Sequence, residues 1–558
     1  MRRNSAMFGA MSDRFVRVLI LPALSGLLLA LSFPPFDIEA LAWVALVPLL
    51  LALRGSSWKV ALGQGWLAGL VFFAITLFWV IHAMHEYGKM PFVVSFLVML
   101  LLAGYCALFV GLFGAVITRI PDRRGLLRIW TAPALWVTLE LARTYLLSGF
   151  PWALLGYSQY HNLTVIQIAD ITGVYGVSYV LVLVNVLLAA VIEAVQKKRK
   201  PSLSRTSPLL VPWIATSLAV TLLAGLVGYG QWRLSPQHES PNDHRVRIGL
   251  VQPNVDQAQK WDAAYRRDTI DRLKRLSLQV SNKADLVIWP EAATPFLFDV
   301  ETIYKNEVLT FVREHGVPLL FGSPALESQA AGQFRLLNSA YLVSGDGLVL
   351  DRYDKAHLVP FGEYIPLKGL LSFLDKLVVG IGDFVPGPGP HVLSAPGGRL
   401  GVVICFEVIF PDLVRHFVEQ GADYMVTITN DAWFGRSGAP EQHFAMVVFR
   451  AVENRIAFAR AANTGISGFI DAEGHILRTT DIFVEDALIG EIRTGGPRTF
   501  YTVYGDLFAY GCVLLSVLVS LIVTITKRRP HARRSQDSPH DPPDEFQRPP
   551  GASLTSRH

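Results

Sequence analysis

The sequence predicts a polytopic α-helical membrane protein with an α/β layered domain set between its seventh and eighth spans. Two observations predict it. Long apolar runs fill the first 230 residues and return near the C-terminal end of a 558-residue chain that is 51% hydrophobic and only 17% charged, with mean hydropathy +0.37. Between those runs, 246–495 has ordinary soluble composition, and short β-rich stretches alternate with helical patterns. So apolar a balance excludes a purely soluble protein, while the length leaves room for a full globular domain.

A bilayer core takes about 20 apolar residues per helix. Eight runs qualify: 16–33, 38–53, 60–82, 91–118, 130–147, 174–195, 209–229 and 507–526. The first lacks a small-x-small cleavage pattern and is followed by further spans, so it reads as an anchor rather than a secretion signal. Lys and Arg alternate from loop to loop. Arg2, Arg3, Arg14 and Arg17 precede or open the first span, and Arg54 and Lys59 follow the second. Arg119, Arg123, Arg124 and Arg128 follow the fourth; Lys197, Lys198, Arg199, Lys200 and Arg205 follow the sixth. Lys527, Arg528, Arg529, Arg533 and Arg534 follow the eighth, and the intervening short loops hold only Lys89. Each basic run alone reads as a solvated loop, but the alternation places both termini in the cytoplasm. The expected organisation is a membrane domain over 1–230, a linker at 231–245, an outer domain at 246–495, an eighth span at 507–526 and a disordered basic cytoplasmic tail at 527–558. In a cell with two membranes the outer domain then lies in the periplasm, on the inner membrane.

Within the outer domain, the β-rich runs are 246–255, 285–291, 318–324, 339–344, 400–407 and 424–431, with helical patterns at 257–281, 302–315, 408–420 and 440–456. Such alternation argues for an α/β layered domain. Three strands end in groups suited to chemistry: Glu291 after DLVIWP, Cys405 in VVICFE, and Asn430 and Asp431 after MVTIT. Lys355 sits in the turn-rich DRYDKAHLVPFGEY. Reactive groups at strand ends and on loops are a common way to build a site on a rigid scaffold.

The chain has three cysteines, and Cys106 and Cys512 lie inside apolar runs. Cys405 therefore has no plausible disulfide partner, and no Cys/His cluster has zinc spacing. A free cysteine alone reads first as simple packing. Beside a carboxylate and an ammonium it becomes a candidate nucleophile: the carboxylate takes the thiol proton, and the ammonium and backbone N–H groups hold an oxyanion. A helix N-terminus after Cys405 and a nearby cation are expected to lower its pKa. Lys355 alone reads equally as a surface lysine, and Glu291 after Pro290 as a helix cap.

WPE at 289–291, Lys355 and CFE at 405–407 resemble, in order and spacing, the Glu–Lys–Cys triad of the nitrilase superfamily. That resemblance implies an α-β-β-α sandwich for the outer domain. FPPF (33–36), LAWVALVPLL (41–50), SGFPW (148–152), GYSQ (156–159), KAHLVPFGEYIP (355–366) and NDAWFG (430–435) are similar to bacterial apolipoprotein N-acyltransferases, from the spans through to about residue 526. WPE alone is unspecific; KAHLVPFGE with NDAWFG is not.

By this resemblance Cys405 is the nucleophile, Glu291 the general base and Lys355 the oxyanion stabiliser. Glu363 matches the second glutamate of the superfamily and orients Lys355 or shares a proton. Glu407 is assigned to catalytic support, with capping of the segment after Cys405 as the equal alternative. Trp261 is assigned to the acyl-chain path, and Phe406, Asn430 and Trp433 to the substrate pocket. Many members carry tyrosine where this chain has Phe406, so no hydroxyl is available there.

The implied reaction moves a fatty acyl chain from a phospholipid, phosphatidylethanolamine, through a Cys405 thioester to the α-amino group of a diacylglyceryl-apolipoprotein. The reading includes no cofactor, no metal and no nucleic acid. The alternative is a membrane-tethered nitrilase-type amidase acting on a small periplasmic amide. A second rival is a transporter or scaffold with a retired outer domain, which the presence of Glu291, Lys355, Glu363 and Cys405 together weighs against. The segment 362–389 carries an apolar helical face (Leu370, Leu371, Phe373, Leu374, Leu377, Val378) and reads either as a packed helix or as an interfacial lid. Glu140 and Arg143, three apart within the fifth span, read as a mutual pair or a head-group contact.

Overall fold

The computed structural model describes residues 14–120, 126–198, 210–235, 244–328, 334–365 and 384–528. Most of 362–389 and of the basic tail lies outside these residues, so neither the apolar face nor the tail enters the structural account.

The outer domain contains two six-stranded sheets. In chain order the strands are β1 (His244–Gln252), β2 (Leu286–Ile288), β3 (Leu319–Ser328), β4 (Phe334–Val343), β5 (Val349–Asp354), β6 (Leu393–Ala395), β7 (Gly398–Ile404), β8 (Tyr424–Thr429), β9 (Phe458–Ala462), β10 (Gly468–Ile470), β11 (Ile476–Thr479) and β12 (Asp486–Thr494). One sheet has the order β12-β1-β2-β3-β4-β5, the other β11-β10-β9-β8-β7-β6. The centres, β1-β2-β3 and β7-β8-β9, are parallel, and the flanking strands are antiparallel.

Side-chain parity explains the layering. Val246, Ile248 and Leu250 on β1, Leu286 and Ile288 on β2, and Ala340 and Leu342 on β4 share one core with the inner residues of the second sheet. Their neighbours Val251, Val287, Tyr341 and Val343 face the opposite way, into a core with the helices Arg266–Ser277 and Thr302–His315. A strand buried on both faces shows this two-residue alternation between cores rather than between core and water. The helices Pro411–Glu419 and Ala439–Asn454 flank the second sheet, which completes the helix–sheet–sheet–helix order.

The N-terminal region is helical. Among the described residues, four helices, Trp58–Thr76, Phe92–Ile117, Val174–Gln196 and Leu507–Ile525, are long and apolar enough to cross a membrane, and shorter apolar segments occupy Val16–Leu31 and Glu39–Ala52. The run at 38–53 is not one continuous helix. It splits into a 3₁₀ turn, Glu39–Trp43, and a short α-helix, Val47–Ala52. Side chains satisfy the freed backbone: the Leu46 N–H donates to Asn185 Oδ1 (2.8 Å), Asn185 Nδ2 donates to the Ala42 carbonyl (2.9 Å), and the Leu49 N–H donates to Ser25 Oγ (2.8 Å). A break among apolar helices is tolerable only with such partners. Between Trp58–Thr76 and Phe92–Ile117 the contact is nearly backbone to backbone. A Cβ on Gly65 would lie 2.3 Å from the Val110 carbonyl oxygen, so glycine is required for that approach.

Glu140 and Arg143 do not use each other as hydrogen-bond partners. Glu140 Oε1 accepts from Trp136 Nε1 (3.0 Å) and the Leu155 N–H (2.7 Å), while Arg143 donates to the carbonyls of Phe150 (3.0 Å) and Trp152 (2.6 Å). Both side chains pin the irregular stretch after the helix Leu126–Tyr145.

Candidate active site

The candidate side chains gather because parallel strands end together. Glu291 follows β2, Cys405 follows β7 and Asn430 follows β8; Lys355 follows β5 at the edge of the first sheet. The turn bearing Glu291 rests on Gly322 of β3, where a Cβ would lie 2.7 Å from the Glu291 Cα, so any side chain there would displace the glutamate.

Glu291, Lys355 and Glu363 form one cluster in which Glu291 and Lys355 are buried and Glu363 is partly exposed. Lys355 Nζ donates to Glu363 Oε1 at 3.0 Å and lies 3.5 Å from Glu291 Oε1. Asn338 of β4 donates through its amide to both carboxylates, at 2.8 Å each. Glu291 Oε2 accepts the Asn430 N–H at 3.0 Å, and Glu363 Oε2 accepts the Val359 N–H at 2.8 Å. The Phe384 N–H donates to the Glu363 carbonyl at 3.0 Å, which ties the far end of the 362–389 segment to this cluster. Burial disfavours the Lys355 charge, but the Glu363 and Glu291 carboxylates outweigh it, and the ammonium is held well above the ordinary lysine range. Lys355 is therefore a permanent cation, suited to hold developing negative charge.

Cys405 opens a 3₁₀ turn, Cys405–Ile409, in the left-handed backbone region (φ 53°). That conformation is uncommon outside glycine and costs on the order of 1–3 kcal/mol. The next α-helix starts only at Pro411, so the expected helix dipole on the thiol is reduced to one short turn. The expected lowering of the thiol pKa is also reversed. Burial and the Glu291 carboxylate push it up, and Lys355 offsets only part of this. The resting group is a thiol, which a base has to deprotonate before it can act as a nucleophile.

Glu407 bonds both to the end of β7 and to the Lys355 loop. Its Oε2 accepts the Ile404 N–H (2.7 Å), closing the turn; its Oε1 accepts from Tyr353 Oη (2.8 Å) and from the N–H groups of Ala356 (2.7 Å) and His357 (3.1 Å). The carboxyl thus ties the end of β7 to the Lys355 loop, and burial pushes its pKa up to about 7.

The four substrate-pocket assignments are placed differently. Asn430 is buried and bonded on both sides, its amide to Gln257 Oε1 (2.6 Å) and its oxygen from Asn463 Nδ2 (3.0 Å). It is a brace beside Glu291. Phe406 is partly exposed and packs on Phe410, with ring centroids 5.3 Å apart. Trp433 is exposed and meets Tyr87 of the helical region edge to face at 5.3 Å. Trp261 is half-buried in a turn beside Lys260.

Sequence reasoning missed Lys260, Asn338 and His443. The Lys260 ammonium is buried and donates to the Glu291 carbonyl at 3.1 Å; burial lowers its pKa to about 8. Among the described residues, no three His, Cys, Asp or Glu form a group able to hold a metal ion.

Residues 25–187 match the apolipoprotein N-acyltransferase N-terminal domain, and residues 247–498 match carbon-nitrogen hydrolase. An apolipoprotein N-acyltransferase from Geobacter metallireducens is 44% identical over 90% of this chain and 94% of its own length. Those from Pasteurella multocida and Chlorobaculum tepidum are 31% and 32% identical, over 90% and 94% of this chain and 95% and 100% of their own lengths. Among solved structures, the amidase from Nesterenkonia sp. AN1 covers 53% of this chain and 99% of its own at 19% identity, with a TM-score of 0.34. On both matched domains and on identity across nine-tenths of its length, the chain belongs to the apolipoprotein N-acyltransferase family.

Proposed function

We propose that the protein transfers a fatty acyl chain from a phospholipid, phosphatidylethanolamine, to the α-amino group of the lipid-modified N-terminal cysteine of apolipoproteins, by way of a thioester on Cys405. Glu291 takes the thiol proton as sulfur attacks the ester carbonyl. The oxyanion is held by the Lys355 ammonium and by the N–H groups of the turn after Cys405. As the C–O bond breaks, Glu291 returns the proton to the lysophospholipid alkoxide. The amine then attacks the thioester, loses a proton to Glu291, and the C–S bond breaks to give amide and free thiol. Glu363 and Asn338 fix Lys355 and Glu291 in register, and Glu407 fixes the Lys355 loop to the end of β7.

One observation carries the lipid substrate. The loop and helix next to Cys405 lie against the apolar helical region: Trp433 on Tyr87 (5.3 Å), Phe434 on Trp79 (4.7 Å) and His443 on Trp152 (5.8 Å). A small-amide hydrolase has no use for a nucleophile at that junction. Purified enzyme given phosphatidylethanolamine and a diacylglyceryl peptide should yield N-acylated peptide and lysophospholipid in equal amounts. Free fatty acid as the main product would favour hydrolysis instead.

Eight spans, both termini in the cytoplasm and the outer domain in the periplasm complete the proposal, supported by the alternating Lys and Arg of the loops. A reporter fused after Lys527 should report cytoplasm, and one fused within 231–245 should report periplasm. Finding both on one side contradicts the eight-span arrangement.

Lys260 supplies a second positive charge near the thiol, and it is lost as pH rises through about 8. A neutral Lys260 no longer favours the thiolate, so thioester formation, measured without acceptor amine, should slow above about pH 8. Lys260→Met should start slower and lack that alkaline decline. An unchanged decline in the variant would assign it to another group.

A further inference from the structure

His443 lies on the helix Ala439–Asn454, outside every motif that identifies the nucleophile, and it is fully buried. Its Nε2 is 3.2 Å from the Cys405 carbonyl oxygen. Its Nδ1 is 3.0 Å from the Arg460 guanidinium, which can only donate, and 3.3 Å from Asp431 Oδ1. The closer contact makes Nδ1 an acceptor, so the imidazole is neutral with its proton on Nε2, directed at Cys405. Burial and the Arg460 charge also disfavour an imidazolium. Arg460 is held in turn by Asp431 Oδ2 (2.7 Å), and Asp431 by Thr429 Oγ1 (2.8 Å). On its other face the ring stacks against Trp152, with centroids 5.8 Å apart. Every polar atom of the ring is thus committed, and what it holds is the peptide that follows the nucleophile.

We infer that His443 is a positioning residue for thioester formation: its Nε2–H fixes the Cys405 carbonyl, and so sets the orientation of the whole Cys405–Phe406 peptide. A peptide is planar, with its carbonyl and N–H pointing opposite ways. Pinning the Cys405 oxygen therefore aims the Phe406 N–H, which lies in the turn's first positions where no intrahelical acceptor is available. It also holds Cys405 in its left-handed conformation, which strain would otherwise relax. The backbone donor that meets the oxyanion is set by an imidazole that never touches substrate.

The inference rests on Cys405 as nucleophile, and the test separates the two. Thioester formation is followed by mass on the Cys405 peptide, at varied phosphatidylethanolamine, in wild type, His443→Gln and His443→Asn. Gln places an amide N–H near the Nε2 position with its oxygen toward Arg460. Asn is one carbon shorter; it keeps a polar group for Arg460 but falls short of Cys405. The maximal rate should fall roughly 10- to 100-fold in Asn, below the full loss of one oxyanion donor, with the half-saturating lipid concentration within about twofold. Gln should recover to within about threefold of wild type by the same measure. Equal rates in Gln and Asn, or a change confined to the half-saturating concentration, overturns the assignment. If neither variant folds, His443→Phe keeps the ring on Trp152 without either nitrogen. It should be as slow as expected for Asn, and a Phe variant at the wild-type rate overturns the assignment. A wild type that forms no thioester removes the functional reading, and this inference with it.

Discussion

Cys405→Ser should lose turnover by on the order of 10⁴-fold or more, although it changes a single atom. The site is built around a thiol. Glu291 has to remove one proton, and a carboxylate is too weak a base to do the same for a serine hydroxyl without a dedicated histidine. Cys405 is only partly accessible and sits in a strained turn closed by Glu407 and by the β7 ladder, so the exchange leaves its surroundings intact. Cys405→Ala should be equally inactive, with unchanged membrane insertion and thermal stability. Any strain at φ 53° is common to all three side chains, since each has a Cβ, which makes stability a clean control. A serine variant with a rate within tenfold of wild type would mean that a base stronger than Glu291 acts on the nucleophile.

Lys355→Arg should be nearly as damaging, with a loss of about 10²–10³-fold in the maximal rate. The charge survives, but the shape does not. Lys355 Nζ is a compact ammonium, 1% exposed, with Glu363 Oε1 at 3.0 Å, Glu291 Oε1 at 3.5 Å and its backbone pinned to Asn338 (2.8 Å). A planar guanidinium is larger and would take both carboxylates in a fork, which places its N–H groups on Glu291 and Glu363 instead of the oxyanion. The Glu291 base would then be occupied as well. Near-normal rates in Lys355→Arg would mean that Lys355 acts only through long-range charge. Glu363→Gln weakens the lysine's anchor without removing the ammonium, so it tests Glu363 separately.

Much of this arrangement was legible in the sequence where function coincides with a strand end. β1, β2, β3, β7 and β8 are apolar enough to be read directly, and Glu291, Cys405 and Asn430 stand just past them. β9 is FARAA, weak in β propensity; β6 and β10 have three residues each; and β11 is exposed throughout, so none carries an amphipathic signal. Their pairing in the second sheet makes them strands. The helical pattern expected from residue 257 begins only at Arg266, because a turn holding Gln257 and Lys260 against the site comes first. Asn338 sits in a strand that also carries Arg335 and Ser339, and its partner Glu291 is 47 residues away. His443 stands on a helix that also carries Glu441, Gln442, Arg450 and Glu453, and it lies 38 residues from Cys405. No local spacing marks either. The direction of the Cys405 pKa shift was misread for a related reason: burial and the facing Glu291 charge come from the tertiary fold, whereas a helix N-terminus is read from local sequence.

The central claim is that Cys405 carries the acyl group. Enzyme incubated with phosphatidylethanolamine and no acceptor amine should gain one acyl mass on the peptide containing Cys405, because little water reaches a nucleophile packed against apolar helices and the thioester waits for an amine. Hydroxylamine should remove that mass, added diacylglyceryl peptide should discharge it into amide product, and Cys405→Ala should never acquire it. An adduct that persists in Cys405→Ala, or product formed by wild type with no adduct at any time, would contradict the account.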